Sequence, residues 1–353
     1  MQRNKEMHNK RALITGGSGY FGETLVLQLI KRGYRCSVLD LNNPGPEISH
    51  MVDFFQIDIR NKSEVEKACE GIDYIFHNVA QVPLAKNKDL FNSVNNIGTQ
   101  NIIEAGILNN CEHLIYTSSS AVFGVPETNP VNENTIPIPQ EAYGEAKLDG
   151  ELNCNKYLDQ GMKISIIRPR TILGHGRLGI FQILFEWIYT GKNVPVFDGG
   201  DNLYQFIHTD DLASASILTA ENNQDALYNI GTNDFGTMKE TLEALIKHAG
   251  TKSTVRSVPS FFIIPIMKIC SFFGLSPLGP YHALMYGKSM YFDTTKAKKD
   301  LNWTPAYSNV EMIIQSYDWY VENRNLILER TENTSPHKSA IKQGILSLVG
   351  RFL

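Results

Sequence analysis

Tyr143 and Lys147 stand four residues apart in Tyr143-Gly144-Glu145-Ala146-Lys147. On a helix that spacing puts both side chains on one face. An ammonium beside a phenol stabilises the phenolate and draws its pKa down from about 10 towards working pH. A phenol tuned in this way can take a proton from an alcohol oxygen and give it back. Upstream, Ser118-Ser119-Ser120 follows the apolar run His113-Leu114-Ile115-Tyr116-Thr117. A serine hydroxyl there can hydrogen-bond the same oxygen. Tyr-x-x-x-Lys by itself is commonly an exposed helix pair. With Ser119 upstream it becomes machinery for moving a proton while a cofactor moves a hydride.

A site for that cofactor stands near the start of the chain. Ala12-Leu13-Ile14-Thr15 is apolar and ends in Gly16-Gly17-Ser18-Gly19, followed by Tyr20-Phe21-Gly22 and an amphipathic run to Lys31. That order is the strand, turn and helix of a dinucleotide site. Gly16 and Gly17 allow the tight turn, Gly19 lets backbone approach a pyrophosphate, and Gly22 lets the helix lie close on the sheet. Free N–H groups and the positive end of the helix dipole favour the pyrophosphate there. Asp40 closes a second apolar run, Tyr34 to Leu39, and lies 18 residues beyond Gly22. A carboxylate at that strand end accepts both ribose hydroxyls and repels a 2′-phosphate. Leu41, Asn42 and Asn43 follow it rather than an arginine, so the expected cofactor is NAD rather than NADP. Lys147 can also hold the nicotinamide ribose.

Positioning these residues requires alternating strands and helices. Strands are expected at Phe54–Ile57, Ile72–His77 and His113–Thr117, and helices at Lys62–Glu70 and Val94–Leu108. Later come short strands at Pro195–Phe197, Gln205–Ile207 and Tyr228–Gly231, and helices at Leu212–Ala220, Met238–His248 and Val310–Asn323. Strands each followed by a helix imply a parallel sheet covered on both faces. The expected fold is α/β, a Rossmann-type doubly wound parallel sheet with a smaller C-terminal substrate lobe. Residues 10–175 form the NAD-binding domain, its sheet completed by segments near 204–232. Residues 176–325 form most of the substrate lobe, and residues 331–353 a linker and amphipathic helix.

At this point the chain resembles the extended short-chain dehydrogenase/reductase superfamily, in its NAD-dependent epimerase/dehydratase group, with features like those of 3β-hydroxysteroid dehydrogenases. The resemblance runs from about residue 11 to 322. It rests on the stretch 15–22, Asp40, Asp58-Ile59-Arg60, Asn78-Val79-Ala80, 116–124, 143–147, Arg168-Pro169-Arg170-Thr171-Ile172-Leu173-Gly174 and 206–213. It implies Ser119 at the catalytic Ser/Thr position, Tyr143 as acid/base and Lys147 as its partner. It further implies NAD contacts from Gly16, Gly19, Tyr20, Phe21, Gly22, Asp40, Asp58, Ile59, Val79, Ala80, Tyr143, Lys147, Pro169 and Thr171. Asp58 would face the adenine, and Pro169 and Thr171 the nicotinamide side. The substrate set is Ser119, Ser120, Gln81, Arg170 and Tyr204.

Departures from the group's patterns narrow the function. Dehydratases of the group carry Asp-Glu after the catalytic Thr, where this chain has Ser120-Ala121. Elimination of water is therefore not expected. Sugar-nucleotide epimerases usually place Asn where Thr171 stands, and Arg before the segment aligned with Gln205-Phe206-Ile207-His208. Here that neighbourhood is Asn202-Leu203-Tyr204. A diphosphate normally needs cationic forks. Arg170, Arg177 and Arg256 are candidate substitutes, although the ordinary expectation for each is surface charge. The chemistry expected is reversible hydride transfer at a secondary alcohol carbon. The first choice is epimerisation of a nucleotide- or lipid-diphosphate-linked sugar. The alternative is a hydroxysteroid-dehydrogenase-like reaction on a lipid alcohol or ketone.

Composition excludes other classes. A net charge of −4 over 353 residues gives no general attraction to nucleic acid. The five cysteines are scattered without metal-ligand spacing, so reduced thiols and no metal are expected. No stretch reaches the roughly 18 apolar residues of a membrane-spanning helix, and the N-terminal residues carry no apolar signal core. The expected place is the cytoplasm, with association at the inner face of a membrane left open, and the expected assembly is a homodimer. The interrupted apolar stretch 258–285 reads either as a buried lid or as a surface meeting lipid. Ile341, Ile345, Leu348, Val349 and Phe352 fall at helical spacing. That helix could lie on an anionic membrane, occupy a partner groove or dock on the core.

Overall fold

The computed structural model describes residues 9–80, 90, 92–261, 263–265, 267 and 285–329. Gln81, most of the apolar stretch 258–285 and the C-terminal segment 331–353 lie outside the described residues.

The first strand, β1 (Arg11–Thr15), buries every residue after its first, as a strand covered on both faces must. Its neighbours are β2 (Arg35–Asp40) and β4 (Tyr74–His77). Beyond β2 the edge strand β3 (Asp53–Gln56) closes one side. Beyond β4 come β5 (His113–Thr117), β6 (Lys163–Pro169) and β10 (Ala226–Ile230). The order β10-β6-β5-β4-β1-β2-β3 makes one parallel seven-stranded sheet. It reverses direction between β1 and β4, so a crevice opens outside their carboxyl ends.

Two apolar layers cover the sheet. One contains α1 (Tyr20–Lys31), α6 (Thr209–Asn222) and α8 (Thr295–Leu301), with Leu25, Leu29, Leu212, Ile217 and Leu301 against the strands. The other contains α2 (Lys62–Ala68) and α3 (Gly98–Leu108), with Val65, Ile102 and Ile103. A π-helical turn, Asn92–Ile97, opens α3. There the Thr99 hydroxyl donates to the Asn95 carbonyl at 2.7 Å.

A third core builds the second lobe. It joins α5 (Ile180–Tyr189), α7 (Met238–Ala249) and α9 (Asn309–Glu329), with Phe185, Leu242, Met312 and Tyr320 buried between them. Two small parallel sheets flank it: β8 (Val194–Phe197) with β11 (Val255–Val258), and β7 (Thr171–Leu173) with β9 (Phe206–His208). Gln205 stitches this region together and is 1% exposed. Its Nε2 donates to the Thr232 carbonyl at 2.7 Å, and its Oε1 accepts from Phe292 N at 2.9 Å.

Candidate active site

The glycine turn is formed as its sequence demands. Gly16 takes φ +70°. A Cβ on Gly22 would stand 2.1 Å from the Gly16 carbonyl oxygen, so only glycine lets α1 start this close to β1. Helix α1 opens at Gly19 with no side-chain cap. Its first N–H groups are therefore left for a ligand. At the end of β2 the Asp40 carboxylate accepts from Ser18 N at 3.2 Å and Asn42 N at 3.0 Å. Burial raises its pKa, and the backbone N–H groups of Asn42 and Ser18 oppose that rise. The loop that would hold a pyrophosphate and the acid that would hold a ribose are thus one hydrogen-bonded unit. These features fit NAD.

The other cofactor positions fall on the same edge of the sheet. Asn78, after β4, receives the Thr117 hydroxyl on Oδ1 at 2.6 Å and donates its N–H to the Thr15 carbonyl at 3.1 Å. That ties the ends of β1, β4 and β5. Val79 N lies 3.0 Å from where a Gly16 Cβ would be. Asp58 accepts both Nε and Nη2 of Arg60, at 2.9 and 2.5 Å, and the Arg60 bond holds its pKa below the usual carboxylate range. Ile59 is buried in the layer of α2 and α3, so its side chain packs the core.

Tyr143 and Lys147 sit on α4 (Ala142–Lys156), capped by Glu141, which accepts from Tyr143 N and Gly144 N at 2.8 and 2.6 Å. A Cβ on Gly144 would stand 2.4 Å from the Ala121 carbonyl. Only glycine here lets α4 lie on the short 3₁₀ turn Ser120–Phe123, which Ser119 caps by accepting from Ala121 N at 3.1 Å. That close approach brings Ser119 to Tyr143. A hydrogen bond from Ser119 eases the phenol pKa down, but burial dominates and raises it to about 12.

The Lys147 ammonium donates to the Thr117 carbonyl at 2.7 Å and lies 4.9 Å from the Tyr116 ring centre. Burial lowers its pKa to about 7, opposed by the Glu151 carboxylate. The cation that lowers the Tyr143 pKa is Arg177, 8% exposed, with its guanidinium 5.4 Å from the Tyr20 ring centre. Ser119 and Arg177 are the groups that draw the phenol down here, while the Lys147 ammonium is held on the Thr117 carbonyl.

Residues of the substrate set meet at the end of β6. Thr171 Oγ1 and the Tyr204 hydroxyl are 2.9 Å apart. Arg170 Nη1 donates to Ser120 Oγ at 2.8 Å, and its guanidinium lies 4.9 Å from the Tyr204 ring centre. Pro169 is buried at the last position of β6. Surface charge was the expectation for three arginines. Arg256 is exposed, but Arg170 and Arg177 are buried, Arg170 against Tyr204 and Phe292 and Arg177 against Tyr20 and Phe181.

Two networks behind the site escaped the sequence reading. Glu151 accepts Ser118 Oγ at 2.5 Å and Arg168 Nε at 2.8 Å; its place four residues after Lys147 on the same helix is the signal that could have found it. His77 bridges Thr15 at 2.7 Å and Thr99 at 3.0 Å, and burial lowers its pKa to about 3. Among the described residues no cluster of potential metal ligands occurs, and no helix is long and apolar enough to cross a membrane.

Comparison with known proteins gives this geometry a family. The model of the NAD dependent epimerase/dehydratase family matches residues 12–231. The chain is 50% identical over 342 residues to the uncharacterized protein y4nG of Sinorhizobium fredii, covering 96% of this chain and 85% of that one. It is 28% identical to the mouse sterol-4-alpha-carboxylate 3-dehydrogenase (decarboxylating), covering 87% of this chain and 91% of that one. In fold it is similar to a UDP-glucose 4-epimerase of Thermotoga maritima solved with UDP-glucose, with TM-score 0.75, 23% identity and coverage of 89% and 99%. The chain therefore belongs to the NAD-dependent epimerase/dehydratase family.

Proposed function

We propose that this enzyme interconverts a secondary alcohol and its ketone on a diphosphate-linked sugar, returning the hydride to the opposite face and so acting as an epimerase. The observation that carries the reading is the Ser119–Tyr143 hydrogen bond, set at the carboxyl edge of β5 above the glycine turn. Gly16 to Gly22, Asp40 and Lys147 would hold NAD. When bound, NAD supplies the acceptor and donor of the hydride. Ser119 holds the reacting oxygen. Tyr143 removes the hydroxyl proton from that oxygen and restores it after the sugar has turned. A half-buried acid/base pair favours keeping the ketone until the hydride returns.

A second reading is net oxidation or reduction of a lipid alcohol, of the hydroxysteroid type. The residues in front of Gln205 favour it: Tyr204 is committed to Thr171, and Asn202 and Leu203 offer no cationic fork for a diphosphate.

The deciding experiment incubates purified protein with UDP-sugars and with hydroxysterols while following NADH absorbance and product stereochemistry. The epimerase reading expects isomerised sugar with no free NADH. Sustained NADH formation with a sterol overturns it in favour of the second reading.

A further inference from the structure

Arg168 and Arg170 leave the same strand end, at 4% and 1% exposure. Arg168 carries its counter-ion with it: Nε and Nη2 donate to the two Glu151 oxygens at 2.8 and 2.5 Å. Arg324 uses the same edge on Glu186, with both bonds at 2.8 Å. This is the two-pronged edge that matches a carboxylate or phosphate. In Arg170 that edge is empty, for Nε and Nη2 are buried without a hydrogen-bond partner among the described residues. The rest of the guanidinium is fixed. Nη1 donates to Ser120 Oγ at 2.8 Å and lies 3.2 Å from Met290 Sδ, while the Tyr204 and Phe292 ring centres stand at 4.9 and 5.7 Å.

A buried cation with unmet donors is costly, and an apolar side chain of similar volume would fill the space without that cost. Aromatic rings offset part of it but form no hydrogen bonds with the open edge. The anchor of the fixed end is Ser120, the neighbour of Ser119, so the open edge belongs to the region where the reacting oxygen is held. We propose that Arg170 is the receptor for an oxyanion of the substrate, a carboxylate or a phosphoryl group, carried close to the reacting carbinol. This rests on reading Ser119 and Tyr143 as the reacting pair. A substrate lacking the oxyanion leaves the edge desolvated and unpaired, so the site discriminates strongly against neutral analogues.

The test needs no turnover. NAD-loaded full-length protein is titrated with sodium acetate, with methyl phosphate and with sodium chloride at matched ionic strength, and thermal unfolding is followed. Acetate or methyl phosphate should raise Tm beyond chloride, and the stronger of the two names the group. In Arg170→Met that extra shift should vanish, with anion affinity down about ten-fold or more. NAD affinity and the Tm without anion should be undiminished. Equal anion shifts in the variant and the wild type overturn the proposal. So does a wild type that responds to acetate and methyl phosphate no more than to chloride, or a variant that loses Tm while keeping its anion shift. Should Arg170→Met fail to fold, Arg170→Lys decides: it keeps the charge but not the fork, and an unweakened shift overturns the proposal. NAD titration of the same samples, read separately, tests the proposed function itself.

Discussion

Lys147 Nζ donates a hydrogen bond to the Thr117 carbonyl at 2.7 Å, inside a protein layer that leaves the residue 2% exposed. The bond fixes the end of β5 to α4. It also places a charge where water does not reach, and the Lys147 pKa falls to about 7.

That shift predicts a pH signature. Between about pH 7 and the unfolded value near 10.5 the unfolded chain holds a proton on this lysine and the folded chain does not. Stability attributable to Lys147 therefore rises with pH across that window, and its burial cost is fully present below pH 7. Urea unfolding of wild type and Lys147→Met at pH 7 and pH 9 should show the wild type gaining relative to the variant. A constant difference would show that Lys147 keeps an ordinary pKa.

Arg177 should set the working pH. The phenol of Tyr143 sits near 12 in the free protein even with this guanidinium drawing it down. Arg177→Met should raise the phenol further and cut the rate at neutral pH by roughly ten-fold for each pKa unit, moving the ascending limb of the rate profile to higher pH. Arg177→Lys should restore most of the rate. Ultraviolet difference titration against Tyr143→Phe checks the same shift without substrate.

Acid should unfold the enzyme through its buried histidines. His77 titrates near 3 and His113 near 4, both lowered first by burial. In the unfolded chain both take a proton near 6.5, so stability falls as pH drops from 6.5 towards 3. His77→Gln should flatten the decline in Tm between pH 6.5 and 4. A variant that falls as steeply as the wild type would assign the acid sensitivity to other groups.

Gly22→Ala should fail by collision. Its new methyl would meet the Gly16 carbonyl at 2.1 Å, and that carbonyl is backbone. We expect a loss on the order of 3 kcal/mol or more together with a large rise in the Kd for NAD, measured by denaturant titration and by calorimetric NAD binding. Gly161→Ala separates collision from backbone strain, since nothing lies within 4 Å of the added atom and any loss there comes from its φ of +98°.

Much of the cofactor half was legible because its determinants are local. The apolar run before Gly16, the helix after it and the acid at Asp40 lie within one strand–helix–strand unit. Tyr143 and Lys147 were legible through helix spacing taken together with Ser119 and the glycine turn upstream. The fates of Arg170 and Arg177 were not. What covers Arg170 is Tyr204, Met290 and Phe292, and nothing near residue 170 marks that side chain as interior. The π-helical turn at Asn92–Ile97 was likewise hidden.

Gln205 binds the backbone at Thr232 with one end of its amide and at Phe292 with the other. Those three positions belong to separate passes of the chain, and the strand that follows Thr171 pairs with the one that follows Gln205. The second lobe is therefore not a detachable module. Heat should melt both lobes in a single calorimetric transition, and a protease cut between them should release no folded fragment.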